Sequence, residues 1–413
     1  IEYRLLLPVA GGLLIGLVWQ WLSGDTRQTG VVHVMERLHH HQSKLPLRNA
    51  VAQFFGAALS IISGHSVGRE GPSVHLGATS GSQTGQWLRL PHNSLRTLSA
   101  CGIAAAIAAS FNTPLAGVIF SMEVVLMEYS VISFAPVILA AVTATTLTRL
   151  VYGSDRIFDI PVMQLGSLSE LVYVIIMGVA LGCIAALFIH LLQHSTARSQ
   201  RIPIWIRCTL GGVVVGLVGM AVPEVMGIGY DTVNRALLGQ LALSTLLIIT
   251  AAKILASALG LGLGLPGGLI GPTIVIGALA GGAAGIMADS WLPGHVAIPA
   301  FYALIGMITM MGATLQAPLA ALTAMLELTA NPNIILPGML ALIAGVLVSR
   351  EVFGKESVYL VLMKARGLDY RSTPLTQALR RIGVAGMMER RFESLPDAMT
   401  RERVLEALAS EPR

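Results

Sequence analysis

Charged side chains are scarce in this chain of 413 residues: Asp, Glu, Lys and Arg make up 12% of it, whereas hydrophobic residues make up 54%. A soluble globular protein carries about 25% charged residues, so the composition excludes an ordinary soluble fold and indicates an integral membrane protein. Long uninterrupted apolar runs are also few, because most are broken by Gly, Pro, Ser or Thr. Broken helices of this kind are typical of transporters and channels, where irregular backbone lines a polar cavity.

Cysteine is rare as well, and no export signal is visible. The three cysteines, Cys101, Cys183 and Cys208, are far apart, which gives neither a disulfide framework nor the spacing of a metal site. The chain opens at Ile1 directly into a membrane segment, with no cleavable signal peptide. Since there is no initiator Met, we expect the natural start to lie upstream.

Enzyme motifs are missing too. An intramembrane metalloprotease would need H-E-x-x-H, which does not occur, and Ser63, His65 and Ser66 lie close together without an orienting partner. We therefore predict no catalytic residue, no metal and no cofactor. A scaffold without transport activity is disfavoured, because a buried glutamate and repeated helix breaks would cost stability without use.

The net charge of +5 is unevenly distributed. Much of the positive charge follows Arg366, at Arg371, Arg380 and Arg381 among others. By the positive-inside rule this end is predicted to be cytoplasmic, in a multi-pass protein of the cell (inner) membrane. Membrane topology thus accounts for the basic residues at this end. We therefore do not predict that the protein binds nucleic acid.

Glu70 is a charged residue within a long apolar region, in the stretch Gly68-Arg69-Glu70-Gly71-Pro72. An ionised carboxylate at membrane depth costs roughly 2.5–3.5 kcal/mol on insertion scales, so a role is expected for it. Gly followed by Pro predicts a helix that begins near Pro72, with Glu70 at its N-terminus, where unpaired N–H groups suit an anion. A structural ion pair between Arg69 and Glu70 is the alternative.

An internal repeat relates the two halves of the chain. Residues 71–78 (GPSVHLGA) match residues 271–278 (GPTIVIGA), 200 positions later. Residues 114–123 match residues 318–327, and in both segments Pro-Leu-Ala is followed by Glu nine positions after the Pro. Repeated halves with helix breaks in corresponding places predict a binding site at the interface between the halves. If the halves are inverted, two positive helix ends face one another and form an anion site.

These residues resemble the CLC family of chloride channels and chloride/proton exchangers. The resemblance covers about Ile1 to Leu368 and is carried by the Gly68–Pro72 stretch, the loop Gly267–Pro272 and the two Pro-Leu-Ala blocks. It implies an all-α polytopic membrane protein whose two inverted-repeat halves, with broken and tilted helices, meet at a central anion site. It also implies a homodimer in the lipid bilayer.

The resemblance implies a gating role for Glu70. In the family this carboxylate occupies the outer anion site and leaves it when the carboxylate is protonated or displaced. Arg69 and Gly71, on either side of it, are assigned to anion binding, together with the backbone N–H groups of Leu269 and Ile270.

Two further elements of the anion pathway are implied. Tyr359 is similar to the inner-gate tyrosine of the family, whose hydroxyl donates to the central anion; an interfacial aromatic anchor is the alternative. The family loop that supplies a serine hydroxyl appears here with Thr29, Gly30 and Val31, which are assigned to anion binding. Thr29 keeps a hydroxyl donor, although the Pro of the family loop is lost.

The position of the internal proton acceptor departs from the exchangers of the family. Exchangers commonly have two adjacent glutamates where this chain has Glu123 and Val124, and an aliphatic side chain cannot carry a proton. Glu123 is expected to cap or buttress its own helix, as is Glu327 in the second half. Lys253 is expected to raise the local positive potential or to snorkel to the interface.

The predicted domains follow from these segments. A transmembrane domain covers 1–353, with halves at about 1–169 and 170–353, and a cytoplasmic linker helix follows at 354–373. Residues 374–413 are similar to the opening of a CBS domain, incomplete here, which implies nucleotide binding in a full-length protein. A disordered basic tail is the alternative.

The predicted function is transmembrane chloride transport through a glutamate-gated pathway, passive or weakly coupled to protons. A fully coupled chloride/proton antiporter and a fluoride-preferring relative are the alternatives, and other halides or nitrate are further candidate anions.

Overall fold

The computed structural model describes residues 2–129, 131–153, 158, 165–291, 297–368, 400–402 and 404–405. The chain divides into two compact units, residues 1–368 and 369–413. The predicted CBS start at 374–413 lies outside the described residues, apart from 400–402 and 404–405. Within the predicted linker, the structure has a helix at Val358–Ala365, which belongs to the first unit.

Helices are the regular elements of the described part of the first unit, apart from one isolated β-bridge. The α-helices are α1 (Glu2–Trp21), α2 (Gly30–His40), α3 (Leu47–Ile62), α4 (Glu70–Trp87), α5 (His92–Phe111), α6 (Pro114–Phe120), α7 (Val131–Tyr152), α8 (Glu170–Ser199), α9 (Ile204–Ala221), α10 (Tyr230–Leu237), α11 (Leu243–Gly262), α12 (Ile270–Trp291), α13 (Pro299–Leu315), α14 (Pro318–Thr329), α15 (Ile335–Leu347) and α16 (Val358–Ala365). Single turns of 3₁₀ helix lie at Pro223–Val225 and Pro332–Ile334, and π-helical segments at Ser121–Leu126 and Val348–Val352.

The surface of these helices is apolar. Eight helices in the described residues are long and apolar enough to cross a membrane, and four shorter apolar helices accompany them. Leu139, Leu147 and Leu150 of α7 are 68%, 57% and 77% exposed, and an apolar surface of this kind requires lipid or protein against it. In contrast, every residue of α13 after Pro299 is buried, as expected for a helix that is hydrophobic all round. The protein is thus a multi-pass membrane protein with a core around α12 and α13.

A glutamate from each half caps the start of a short helix in the other half. Glu123 accepts hydrogen bonds of 3.1 and 2.6 Å from two backbone N–H groups in the first turn of α14, and Glu327 accepts two of 2.8 Å from the first turn of α6. The expectation that each glutamate caps its own helix is therefore wrong. The physical reason is that each lies near the C-terminal end of its own helical segment, where the dipole is negative, while the start of the opposite helix offers unpaired donors. This reciprocal arrangement, in an all-helical fold, agrees with the predicted pair of repeated halves.

Candidate anion site

Two glycine-rich loops, one from each half, meet where α4 and α12 begin. Gly68 and Gly268 form an antiparallel β-bridge in which each backbone N–H donates to the carbonyl of the other, at 2.9 and 2.7 Å. Because α4 begins at Glu70 and α12 at Ile270, both helix N-termini lie beside this bridge with N–H groups that have no intrahelical acceptor. The prediction that the two helix starts approach each other is confirmed.

Only glycine fits at this junction. A Cβ atom on Gly68 would lie 2.4 Å from Oε2 of Glu70, and one on Gly268 would lie 2.6 Å from the backbone nitrogen of Gly71. A Cβ on Gly68 would displace the Glu70 carboxylate and would also lie 2.9 Å from the backbone nitrogen of Gly271, and the contact of Gly268 with backbone could not be relieved without separating the two loops. The glycines therefore allow the two backbones, and the helix ends that they lead into, to approach closely.

Glu70 is fully buried at this junction. Its Oε2 accepts a hydrogen bond of 3.2 Å from the backbone N–H of Gly271, and its Oε1 accepts one from the hydroxyl of Tyr230. The carboxylate of one half is thus bound by the helix start of the other half, in a position that would suit any small anion. Among the described residues, no ion pair joins Arg69 to Glu70, so this alternative is not supported.

Tyr230 is a site residue that the sequence analysis missed. It opens α10, and its ring packs edge-on against Phe158 at 5.3 Å between centroids. The guanidinium of Arg69 lies 5.7 Å from the centre of the same ring and donates a hydrogen bond of 3.2 Å to the carbonyl of Ser110. No sequence motif connects Tyr230 with Glu70, because 160 positions separate them and only the fold joins them.

A cavity of about 750 Å³ leads to this junction. The predicted site residues that line it are Thr29, Gly30, Val31, Gly71, Leu269 and Tyr359. The loop that departs from the family pattern thus lies in the same cavity as the start of α12 and the tyrosine of α16. The other predicted positions, Glu70, Arg69, Ile270, Lys253 and Val124, are not among the residues that line it.

Tyr359 presents a buried hydroxyl to this region. The residue is 3% exposed, which excludes the alternative of an interfacial anchor. Its hydroxyl has no hydrogen-bond partner within the described part of the protein. A buried hydroxyl without a partner costs about 1–3 kcal/mol, so a ligand that accepts its hydrogen bond would stabilise this arrangement.

The cavity is strongly basic. Arg27, Arg201, Arg207 and Arg366 line it, and no Asp or Glu is found among its described lining residues. A concave surface of one sign of charge raises the local concentration of ions of opposite charge, so this cavity attracts anions. These arginines come from separate segments, so no sequence pattern groups them. Arg207 is the one of these arginines that the sequence marks as a functional candidate. It lies within the apolar helix α9, and a charge at membrane depth is seldom without function.

Lys253 and Val124 are two of the predicted positions that lie outside the cavity lining. Lys253 is fully buried, and its Nζ donates hydrogen bonds of 3.0 and 2.9 Å to the carbonyls of Val225 and Gly227. It does not snorkel to an interface; instead it ties α11 to the loop that leads into α10. Val124 is 5% exposed within the π-helical segment Ser121–Leu126 and offers no group that binds a proton.

Comparisons with known proteins agree on one family. A family model described as "Voltage gated chloride channel" matches residues 11–350. A ClcB-like chloride channel protein of Ralstonia nicotianae is 34% identical over 362 residues, which cover 86% of this chain and 84% of that protein. An H(+)/Cl(-) exchange transporter ClcA of Vibrio cholerae is 30% identical over 320 residues, covering 75% of this chain and 68% of that protein.

Solved structures share the fold. The crystal structure of a slow cyanobacterial Cl-/H+ antiporter matches with a TM-score of 0.78 at 25% identity, over 88% of this chain and 86% of that one. The crystal structure of a CLC-type fluoride/proton antiporter matches with a TM-score of 0.75 over 87% and 88% of the two chains. At 23% identity, the second likeness concerns the fold alone.

Proposed function

Because the chain belongs to the voltage-gated chloride channel family, we propose that it transports chloride across a membrane through a pathway gated by Glu70. The observation that carries the proposal is the binding of the Glu70 carboxylate by the N–H of Gly271 and the hydroxyl of Tyr230. An anionic side chain in such a position competes with the transported anion. Protonation of Glu70 removes its negative charge and therefore this competition.

Chloride reaches the gate through the basic cavity in this proposal. The arginines of the cavity attract the anion, and the hydroxyl groups of Thr29 and Tyr359 donate to it near the start of α12. The backbone N–H groups of Leu269 and Ile270 lie at that helix start, where the helix dipole favours a negative charge. Arg69 and Gly71 flank the gate, and Lys253 contributes only through its positive charge at a distance.

Transport is passive or weakly coupled to protons in this proposal. Support comes from Val124, which cannot take up a proton at the position where exchangers of the family carry a glutamate. A fully coupled chloride/proton antiporter is the alternative, supported by the relative from Vibrio cholerae that is named an H(+)/Cl(-) exchange transporter. A fluoride preference is the second alternative, since the loop at Thr29 lacks the Pro of the family pattern.

The gate is tested by Glu70→Gln in liposomes. The amide keeps the size of the side chain but removes the charge that competes with chloride, so the chloride flux should change and any proton flux should be lost. Glu351→Gln is the control, because Glu351 is an exposed glutamate that pairs with Arg350. If Glu70→Gln has the same flux and the same pH dependence as the unchanged protein, Glu70 is not the gate.

The degree of coupling is tested by the reversal potential of the reconstituted protein under a pH gradient. A potential that follows chloride alone supports passive transport, whereas a shift with pH supports the antiporter. Fluoride and chloride efflux from the same vesicles then decide the preferred anion.

We also propose that the protein is a homodimer in the cell (inner) membrane with a cytoplasmic C-terminus, where a full-length protein would bind nucleotide through its CBS region. The exposed apolar surface of α7 is compatible with lipid or a second copy against it. Cross-linking in native membranes tests the dimer, and a C-terminal reporter that functions only in the cytoplasm tests the orientation.

A further inference from the structure

Two histidines form a buried pair between α2 and α4. The ring centroids of His33 and His75 are 5.3 Å apart, and the rings meet edge-on at 79°. The two residues are 3% and 0% exposed, and none of their four ring nitrogens has a hydrogen-bond partner within the described part of the chain. Each buried polar atom without a partner costs about 1–3 kcal/mol, so two aromatic hydrocarbons would pack here at lower cost.

Glu36 adds a third titratable side chain to the pair. It lies one turn after His33 on α2, is 8% exposed, and has its Oε2 at 3.8 Å from Nδ1 of His33. This separation is too long for a direct hydrogen bond. On its other side, Glu36 interacts electrostatically with Arg366, which lines the cavity. Three buried titratable side chains therefore follow one another, Glu36, His33 and then His75, with the positive charge of Arg366 acting on the first two.

The pair lies beside the two elements that matter for proton coupling. His75 is on α4, the helix that begins with Glu70, and at 1.5 Å per residue it is about 7.5 Å further along the axis. Helix α2 contacts both α4 and the π-helical segment that contains Val124. The helix that carries His33 and Glu36 thus packs against the segment in which Val124 cannot bind a proton.

Resting on the proposed chloride transport, we propose that Glu36, His33 and His75 relay protons between the basic cavity and the gate, Glu70. A metal site is not the explanation, since no group of three His, Cys, Asp or Glu in the described residues could hold a metal ion. The ring nitrogens instead bind protons and bridging water, which is how buried polar groups are normally satisfied.

The relay transfers one proton without change in the charge of its members; each imidazole is left as its other tautomer, and a flip of the ring restores the first one before the next proton. Glu36 takes a proton from hydronium on the side of Arg366 and passes it, through water, to His33. Each neutral imidazole accepts a proton on its free nitrogen while it releases the proton on its other nitrogen. The proton then binds the carboxylate of Glu70, through water. The charged and titratable groups that act on His33 and Glu36 are Arg37, His41 and Arg366, and His33 is the one that acts on His75.

The experiment compares proton and chloride fluxes of the full chain in liposomes. A chloride gradient drives transport, and two electrodes record external pH and chloride. Glutamine resembles histidine in size and polarity but does not carry a proton, so in His33→Gln/His75→Gln the proton flux should fall by about 10-fold or more. The chloride flux of this variant should remain. The matched control is His40→Gln, since His40 is exposed at the end of the same helix and should keep both fluxes.

The possible outcomes distinguish a failure of the proton relay from a failure of the proposed chloride transport. A double variant whose proton flux stays in proportion to its chloride flux would overturn the relay. So would an unchanged protein that moves chloride with no protons, although chloride transport itself would then stand. If the unchanged protein moves no chloride, both proposals fail. Should the double variant not fold, His33→Gln alone is judged by the same fluxes.

Discussion

At the scale of single residues, the most consequential contact is the hydrogen bond from Tyr230 to Glu70. The hydroxyl and the N–H of Gly271 are the two donors to the carboxylate among the described residues. Hydrogen bonds to a charged group contribute about 1.5–3 kcal/mol, more than those between neutral groups. The position of the Glu70 carboxylate therefore depends on a side chain from a distant part of the chain.

Removal of that hydroxyl should make Glu70, the proposed gate, easier to displace. In Tyr230→Phe the ring and its packing remain, while Glu70 loses one donor, so chloride competes better. A loss of about 1.5 kcal/mol corresponds to roughly a 10-fold lower chloride concentration for half-maximal flux. The measurement is chloride flux in liposomes as a function of chloride concentration.

Tyr302→Phe is the matched control for this change. Tyr302 is also a buried tyrosine whose hydroxyl donates to a glutamate, Glu170, but it does not line the cavity. Loss of the Tyr302 hydroxyl should lower the thermal stability of the protein and leave the dependence of the flux on chloride concentration unchanged. An equal change in chloride dependence for both variants would show that the effect at Tyr230 is not specific to the gate.

At the scale of helices, the halves are joined by the exchange of caps between α6 and α14. Glu123 and Glu327 each bind two N–H groups at the start of the helix in the other half. A helix start buried without acceptors would cost free energy. The pairing therefore stabilises the interface between the halves, and it explains why the same Glu follows Pro by nine positions in both.

Loss of one cap should destabilise the fold. Glu327→Ala leaves the N–H groups of Leu115 and Ala116 without their acceptors, and cap removal costs about 0.5–2 kcal/mol. We expect a lower thermal unfolding temperature in detergent, and Glu123→Ala should have a similar effect. The comparison is Glu356→Ala, which breaks a half-exposed pair with Lys364 and should cost about 0–1 kcal/mol. The cap has no structural role if Glu356→Ala lowers the unfolding temperature as much as Glu327→Ala.

At the scale of the whole molecule, the internal repeat made the site predictable. Because residues 71–78 and 271–278 share one pattern, the meeting of α4 and α12 and the burial of Glu70 followed from the sequence. Tyr230 and Arg207 did not follow, since each is a single residue whose neighbours come from distant segments. The target of Glu123 was also missed, because spacing within one half cannot tell which half supplies the N–H donors.

The same limit applies to the charge of the cavity, which exists only in the folded molecule. Arg207 lies within α9, whereas Arg27 and Arg366 follow α1 and α16, and the three meet in one cavity. The Nε of Arg207 is buried without a protein acceptor among the described residues. The mutual repulsion of these arginines costs stability, and a bound or passing anion offsets part of that cost.

Arg207→Gln should therefore slow chloride entry in a salt-dependent manner. At low ionic strength the flux should fall by about 2- to 10-fold, because the cavity attracts fewer anions. An impermeant salt near 0.1 M shortens the screening length to about 10 Å, so the difference from the unchanged protein should shrink. Arg350→Gln is the control, since Arg350 is an exposed arginine outside the cavity and should change neither flux nor salt dependence. A deficit in Arg207→Gln that is independent of salt would mean that Arg207 acts through packing rather than through its charge.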